Sequence, residues 1–465
     1  MKYVKKLPVA PGLVIMFFIS IVFVSCQKEI ETKPPFQEEF PSTVNKTHGH
    51  LKQTKTYPAD VVIKWLDLKY RILRQPQEQN TPFGFFIVRF YSALGISVYE
   101  SVVPGMPAYQ SLSGQLSEMP PMPATNPGMA YHWPACANAA LAQMFRNFLP
   151  NTSLQNKASI DSLDNALNHV YMNEVDASTF QRSAEFGKAV AGKVFEWLKK
   201  DGFFTEYSPY IPPVGPGLWQ PTPPAFLPPN GAHFGDIHPL MPGVLNENYP
   251  PPPVPYSTVP GSTFHYSMID VYNTTQQLIL NPELKAKANY WRGTPGGSGM
   301  ILWYAILRKI LTEQGNEAML DKAAIAYCKM GIAQKDAGIA MFKAKFFYNE
   351  LAPVTYIRDI LGHATWNSDF PTPAGPCYPE LHAFQNSSSA AVLSQVFGSN
   401  YHFNTDGIHP QGQAGYTFNS FEEAALHGNQ SRFLAGVGTQ HAMNAGAWIG
   451  NKSAEYMDTK IKFLK

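Results

Sequence analysis

The sequence is short of several residue types, and each shortage excludes a class of protein. Only 15% of the 465 residues are charged and the formal net charge is +2, so the composition gives no reason to expect a nucleic-acid partner. No run of alternating apolar and polar residues is long enough for a central strand. There is no glycine-rich phosphate loop, and the 4 cysteines have no metal-ligand spacing. What remains, with 45% hydrophobic residues and 41 prolines, is typical of a large packed core with long ordered loops.

The N-terminus has the pattern of an export signal. A basic start, Met1–Lys6, precedes an apolar run over residues 12–24 that is too short to span a bilayer comfortably. The run ends at Phe-Val-Ser-Cys26, which resembles a bacterial lipobox. We therefore predict a lipoprotein signal peptide over 1–25 and a polar tether over 26–56. Lipid on Cys26 would then anchor the exported protein to a membrane of the cell envelope, in our expectation the outer membrane. The alternative is an ordinary secretory signal in which Cys26 has no role.

Apolar residues at three- and four-residue spacing predict helices through most of the chain. We predict an all-α fold, a helical bundle that forms one domain over residues 57–465. The predicted helices are 60–74, 83–102, 133–148, 154–175, 179–200, 263–280, 299–311, 321–351, 387–397, 421–426 and 436–457.

A proline-rich segment interrupts this helical pattern. Residues 209–260 contain 17 of the 41 prolines, and proline excludes both helix interiors and central strands. Trp219, Phe226, Phe234 and Tyr249 could anchor such a segment to a core. We therefore predict an ordered proline-rich belt over residues 208–260, with a flexible linker between two domains as the alternative.

The long predicted helix over 321–351 carries a row of small residues. Ala324, Gly331 and Gly338 recur every seven residues, and Lys345 continues the row. Small side chains at this period let another helix approach closely, so Lys345 is expected to end a packed face. The alternative is that the lysine extends its ammonium group to solvent.

Three short segments near the C-terminus carry the chemistry of the chain. Residues 345–358 read KFFYNELAPVTYIR, residues 378–383 read YPELHA, and residues 431–438 read SRFLAGVG. In order and spacing they resemble the three signatures of the vanadium-dependent haloperoxidases and type-2 phosphatidic acid phosphatases, which read K-x6-R-P, P-S-G-H and S-R-x5-H. Residues 217–226, followed by 233–235, also resemble a loop of the bacterial haloperoxidases. The resemblance implies a helical bundle of the vanadium haloperoxidase/acid phosphatase type.

The resemblance also implies roles for individual residues. In these families a lysine and two arginines hold vanadate or phosphate, one histidine acts as acid–base, and a last histidine binds vanadium or attacks phosphorus. Carried over to this chain, Lys345 and Arg432 are the remaining oxyanion-binding cations and His382 is the remaining catalytic acid–base. An arginine, a Ser-Gly pair and the last histidine are replaced. The altered positions are Ala352, Glu380, Leu381 and Gly438.

Glu380 is the most consequential of these replacements. Two anions about 4 Å apart repel by about 4 kcal/mol at an effective dielectric constant near 20, so a carboxylate here opposes a bound oxyanion. We expect Glu380 to pair with Lys345 or Arg432 and to fill the site with an internal salt bridge. Two alternatives remain. His441 could swing into the place vacated at Gly438, or it could join Glu380 and His382 in a metal site, although their spacing does not favour a metal.

Two functions are compatible with these residues. One is an envelope lipoprotein with a degenerate oxyanion site and weak or no peroxidase or phosphatase activity, which the altered residues favour. The other is an active haloperoxidase or phosphatase-type enzyme with an altered ligand set. The residues themselves predict no cofactor and no metal, whereas the resemblance implies vanadate or phosphate. The expected partner is a membrane, through Cys26; homo-oligomerisation, the halide and any organic substrate are left open.

Overall fold

The computed structural model describes residues 52–73, 75, 83–292, 299–409 and 412–465. The predicted signal peptide, Cys26 and the tether as far as residue 51 lie outside these residues. A short 3-10 turn, Thr54–Thr56, opens the described part of the chain. The Thr54 hydroxyl donates to the backbone carbonyl of Val102 at 2.8 Å, so the last residues assigned to the tether pack on the bundle.

The fold is all-α, as predicted. The helices are α1 (Asp60–Leu73), α2 (Phe83–Val102), α3 (Trp133–Phe148), α4 (Leu154–Glu174), α5 (Ala177–Leu198), α6 (Val244–Glu247), α7 (Thr263–Leu280), α8 (Pro282–Trp291), α9 (Gly299–Gln314), α10 (Leu320–Tyr348), α11 (Pro353–Asp359), α12 (Leu381–Phe397), α13 (Phe421–Leu434) and α14 (Gln440–Lys460). In the described residues the strands are β1 (Phe403–Asn404) and β2 (Thr417–Phe418), which pair antiparallel with Phe403 opposite Phe418.

Several helix ends differ from the prediction, and local capping explains the differences. α12 begins at Leu381 rather than 387, because the Glu380 side chain caps it. α14 begins at Gln440 rather than 436, because Gly436 has a left-handed φ of 79° and Thr439 supplies the cap. α10 ends at Tyr348 rather than 351, since Asn349 adopts a left-handed φ of 50°. Left-handed residues end helices in this way.

α10 is the central helix, and it packs on α2 and α12. The α2–α10 crossing is close because both helices contribute glycine. A Cβ on Gly95 would lie 2.5 Å from the carbonyl oxygen of Tyr327, and one on Gly331 would lie 2.7 Å from Cα of Ser92. The predicted row of small residues therefore does face another helix. The segment Phe86–Gly105, which includes most of α2, is long and apolar enough to cross a membrane. Because 94% of its apolar window is buried inside the bundle, packing in the core accounts for this apolar character.

The proline-rich segment is ordered, as predicted, and wraps the end of α10. The backbone N–H of Trp219 donates to the carbonyl of Asn349 at 2.7 Å, and both Trp219 and Phe234 are buried. Asp336 on α10 accepts hydrogen bonds from two further belt amides, those of Leu240 and Met241, each at 2.7 Å. The expectation that Phe226 anchors the belt is wrong, because its side chain is 62% exposed.

Candidate functional site

Lys345 lies in the last turn of α10, and its ammonium group is turned inward. It donates to the backbone carbonyls of Pro376 at 2.8 Å and Cys377 at 3.3 Å, and also to that of Pro379. Burial lowers the pKa of Lys345 to about 8, so the group is still charged at neutral pH. An ammonium group has three N–H donors, and carbonyls take all of them. The alternative in which Lys345 reaches solvent is therefore wrong, and no donor is left over for an oxyanion.

Glu380 precedes α12, and its two carboxylate oxygens have different partners. Oε2 accepts the backbone N–H of Ala383 at 2.9 Å, which caps the helix. Oε1 lies 3.2 Å from Nδ1 of His382 and 3.4 Å from Nε of Arg432. Burial alone would raise the pKa of Glu380, but the attraction of His382 and Arg432 and the hydrogen bonds lower it to about 2. Glu380 is therefore a permanent anion, and it contacts a cation as expected, on Arg432 rather than Lys345.

Arg432 is buried on α13 with few partners for its donors. Its side chain is 10% exposed, and burial lowers its pKa while Glu380 opposes that shift. Nε is close enough to Glu380 for attraction but makes no hydrogen bond. Among the described residues, no hydrogen bond from any of the guanidinium N–H groups is found. The guanidinium group lies beside the ring of Phe370, 5.6 Å from its centre, and Arg292 lies 4.9 Å from the same centre.

His382 is in the first turn of α12, between Glu380 and the start of α9. A Cβ on Gly299 would lie 3.3 Å from Cδ2 of His382, so the imidazole packs against α9. Burial lowers the pKa of His382, Arg432 lowers it further, and Glu380 opposes both effects. Because the carboxylate faces Nδ1, it fixes the neutral tautomer with the proton on that nitrogen. Nε2 has no hydrogen-bond partner in the described part of the chain.

Gly438 lies in the turn between α13 and α14, next to the same carboxylate. A Cβ at this position would overlap the terminal methyl of Met443 and would lie 3.4 Å from Cγ of Glu380. Met443 is itself buried. The space that the resemblance assigns to a histidine is therefore filled by a thioether side chain.

Ala352 and Leu381 also stand in apolar surroundings. Ala352 precedes Pro353 at the start of α11 and is 3% exposed, and Leu381 is partly buried against the main core. The buried hydrophobic cluster around Ala352 consists of Trp219, Val271, Val354, Ile357 and Trp366.

His441 does not reach the place vacated at Gly438. Its Nε2 lies 2.8 Å and 3.1 Å from the two carboxylate oxygens of Glu350, so the alternative in which it swings inward is wrong. A metal site with Glu380 and His382 also finds no support, because no group of three metal-ligating side chains occurs in the described residues.

Arg358 is structural, since it donates to the carbonyl of Trp366 at 2.7 Å and to Asn367.

Glu350, Met443 and Arg292 are site residues that sequence reasoning missed. A signal existed for Glu350, which is the one charged residue between Lys345 and Arg358. It is 4% exposed and is among the charges that act on Lys345. No comparable signal marks Met443 or Arg292, which reach the site through tertiary packing.

The charges of the site nearly cancel. Lys345 and Arg432 are the buried cations, and Glu380 and Glu350 are the buried carboxylates beside them. A site built to hold a multiply charged oxyanion needs an excess of cationic donors. Among the described residues, the buried part of the site has no such excess of cationic donors over carboxylates.

Comparisons with known proteins support the fold. Residues 326–464 match the family model of the VCPO second helical-bundle domain. The chain is similar to the structure of a bacterial vanadium-dependent iodoperoxidase, with a TM-score of 0.76, 24% identity, and coverage of 88% of this chain and 98% of that one.

A bacterial vanadium-dependent chloroperoxidase is similar in its holo form, with a TM-score of 0.58, 15% identity, and coverage of 83% of this chain and 95% of that one. Its apo form gives a TM-score of 0.56 at 15% identity. A comparison with curated protein sequences finds no match. The resemblance inferred from the three motifs is thereby confirmed at the level of the fold.

Proposed function

We propose that this chain, which has the helical-bundle fold of the vanadium-dependent haloperoxidases, is an exported envelope lipoprotein with an internally neutralised oxyanion site and weak or no peroxidase or phosphatase activity. One observation carries the proposal: the Glu380 carboxylate lies 3.2 Å from Nδ1 of His382 and 3.4 Å from Nε of Arg432. A side-chain anion thus stands beside the two groups that would otherwise face an oxyanion.

Vanadate, the group that the fold implies, does not fit the residues present. The N–H groups of Lys345 are taken by carbonyls, Ala352 supplies no cation, and Gly438 supplies no ligand. An oxyanion about 4 Å from Glu380 would be repelled by about 4 kcal/mol at an effective dielectric constant near 20. The same shortage applies to phosphate. The fold does not decide the matter, because function depends on the site rather than on the scaffold.

The alternative, an active enzyme with an altered ligand set, draws support from a separate observation. Arg432 retains unpaired N–H groups, and Nε2 of His382 has no partner among the described residues. These groups could still bind an anion or transfer a proton. Activity measurements separate the two functions.

We expect the unmodified protein to show no turnover of iodide, bromide or chloride with peroxide and vanadate, and no hydrolysis of p-nitrophenyl phosphate above background. A charge-assisted hydrogen bond contributes about 1.5–3 kcal/mol. Loss of a forked pair therefore costs about two to four decades of oxyanion affinity at about 1.4 kcal/mol per decade. Halide oxidation assays and vanadate titration by calorimetry check this.

A restored variant provides the positive control. It combines Ala352→Arg, Glu380→Ser, Leu381→Gly and Gly438→His with Met443→Ala, which makes room for the histidine ring. This variant should bind vanadate if the scaffold is intact. Robust halide oxidation by the unmodified protein, abolished by His382→Ala, would overturn the proposal in favour of the active enzyme.

A further inference from the structure

Large apolar side chains are exposed around one cleft of the proline-rich belt. The cleft has a volume of about 420 Å³. Three exposed residues are chain neighbours of its lining residues: Phe204 of Phe203, Ile211 of Tyr210 and Leu227 of Pro228. Phe226 is also exposed and lines a second cleft, of about 470 Å³. A group of exposed apolar side chains marks an interaction surface. We call this surface the apolar face; its exposed members are Phe204, Ile211, Phe226 and Leu227.

Phe226 is held in an unfavourable backbone conformation on the apolar face. Its φ is 46°, in the left-handed region that a bulky side chain rarely adopts. Strain of this kind is concentrated at functional sites. Burial does not offset the strain here, because the ring remains mostly exposed to solvent. The folded chain therefore presents apolar surface at an energetic cost, as a binding residue does.

The composition of the apolar face favours a lipid surface over a protein as its occupant. No Asp, Glu, Lys or Arg occurs in residues 207–235, so no charged group of this segment has to leave water on contact with acyl chains. Residues 208–230 include nine prolines, which have no backbone N–H group. A protein that added a strand here would need those N–H groups, whereas acyl chains offer no acceptor for them.

The proposed lipid anchor brings a bilayer within reach of the apolar face. The 25 residues 27–51 separate Cys26 from the described part of the chain, and a chain of that length spans at most about 90 Å. A folded domain of this size has a radius of gyration of about 22 Å. The anchor therefore allows any face of the domain to meet the membrane, and the protein surface decides which face does.

We propose that the apolar face docks on the bilayer that holds the anchor, with Phe226 and Leu227 among the inserted side chains. This inference rests on the proposed function, because it assumes a membrane-anchored protein, and it adds an orientation. Tyr210, in the cleft, donates to Oδ1 of Asn349 at 2.8 Å, so the face is fixed to the end of α10 that carries Lys345. Docking therefore holds this end of α10 next to the bilayer.

A spin label on the mature, acylated protein tests the inference. A nitroxide is attached to Leu227→Cys, and the protein is reconstituted into phosphatidylcholine vesicles. The three cysteines of the described residues are buried, so the introduced thiol should be labelled preferentially. Oxygen, which concentrates among acyl chains, should collide with this label more often than a water-soluble nickel chelate does. Salt should not change the result, because the segment carries no charge. A label on Leu154→Cys, an exposed position outside the belt, should report water.

Variants of the face should move the label at position 227 into water without loss of the anchor. Ile211→Glu combined with Phe226→Asn places a carboxylate and an amide against the acyl chains, where neither finds a partner. Asparagine tolerates a left-handed φ, so this protein should fold and remain bound to the vesicles. Leu154→Glu is the matched control and should leave the signal of the label at position 227 unchanged.

The outcomes separate the inference from the function on which it rests. A label at position 227 that reports water, on protein that is acylated and bound to vesicles, would overturn the inference and leave the proposed function standing. Spin–spin broadening that persists without vesicles would place a second copy of the chain on the face and would also overturn the inference. If the unmodified protein carries no acyl chain, the proposed lipoprotein fails, whereas insertion of the label into added vesicles would still support the docking face.

Discussion

At the scale of single residues, Glu380 combines three roles in one carboxylate. It caps α12 through the N–H of Ala383, it orients His382 through Nδ1, and it partly neutralises Arg432. A buried charge is stabilised only when its partners are in place, and removal of one member of such a group costs more than the group contributes overall. Glu380 should therefore matter for stability even if the pocket has no catalytic role.

We expect Glu380→Gln to lower the free energy of unfolding by about 3 kcal/mol at pH 7. The pKa of Glu380 is about 2 in the folded protein, against a usual value of 4.5. Its contribution is therefore complete above about pH 4.5 and is lost as the pH falls toward 2. Urea denaturation between pH 2 and 7 measures the effect.

The difference between the unmodified protein and Glu380→Gln should accordingly shrink on acidification. Glu206→Gln is the matched control, because Glu206 is exposed, and it should change stability little at any pH. A gap between Glu380→Gln and the unmodified protein that stays constant with pH would show that the charge of Glu380 contributes nothing.

The sequence predicted the members of the site better than their pairings. The three motifs correctly brought Glu380, His382 and Arg432 together, because the order of motifs reflects a shared scaffold. They could not decide between Lys345 and Arg432 as the partner of Glu380. That choice depends on the carbonyls of residues 376–379, whose positions no side-chain pattern encodes. For the same reason Glu350 and His441 were not recognised as a pair, since they are on different elements.

At the scale of elements, α12 and α14 meet through glycine on the α14 side. A Cβ on Gly446 would overlap the carbonyl oxygen of Glu380, and one on Gly450 would overlap that of Phe384 and lie 2.8 Å from the amide nitrogen of Ser388. These obstacles are backbone atoms, which cannot move aside as a flexible side chain can. The contact also places α14 against the residue that caps α12, so helix packing and site geometry are linked.

We expect Gly450→Ala to destabilise the protein by about 1–3 kcal/mol, because the methyl group would force α12 and α14 apart. Gly192→Ala in α5 is the matched control: nothing lies within 4 Å of a Cβ there. Since alanine restricts the unfolded chain, that variant should gain about 0.4–1 kcal/mol. Chemical denaturation of both variants measures the contrast, and equal effects would contradict the close contact.

The helices themselves were largely predictable, and their ends were less so. α2, α3 and α7 have the predicted bounds, because long apolar periodicity reports the buried face of a helix directly. The beginning of α12 was missed because Glu380 is not among the preferred capping residues. The sequence analysis did not predict α8, although Asn281 caps it and Pro282 occupies its first turn. Such residues can mark the start of a helix even where its apolar periodicity is short and weak.

At the scale of the whole molecule, a helical bundle like that of the haloperoxidase structures surrounds a site whose buried charges nearly cancel. α10 passes through the middle of the bundle, the proline-rich belt closes around its end, and the site forms where α10, α12, α13 and α14 come together. The main hydrophobic core does not include residues 352, 380 or 438. The scaffold can therefore persist whether or not the pocket binds an oxyanion.

The proposed envelope location is a property of the intact chain and is tested in cells. The mature protein should fractionate with membranes and incorporate radiolabelled palmitate. Cys26→Ser should release it or leave the precursor uncleaved, since the acyl chains contribute about 0.8 kcal/mol per buried methylene group. Ser42→Ala, in the predicted tether, is the control and should behave as the unmodified protein. Absence of palmitate label from the unmodified protein would exclude the lipoprotein while leaving export open.

Met443 links the residue at position 438 to its own rotamer. A histidine introduced at position 438 would meet the terminal methyl of Met443, and this flexible thioether would have to adopt another rotamer within a packed site. Shortening Met443 to alanine first would make room for the ring but leave a buried void, which costs about 2–5 kcal/mol. The effect of a histidine at position 438 should therefore depend on the residue at position 443, so the two positions are epistatic.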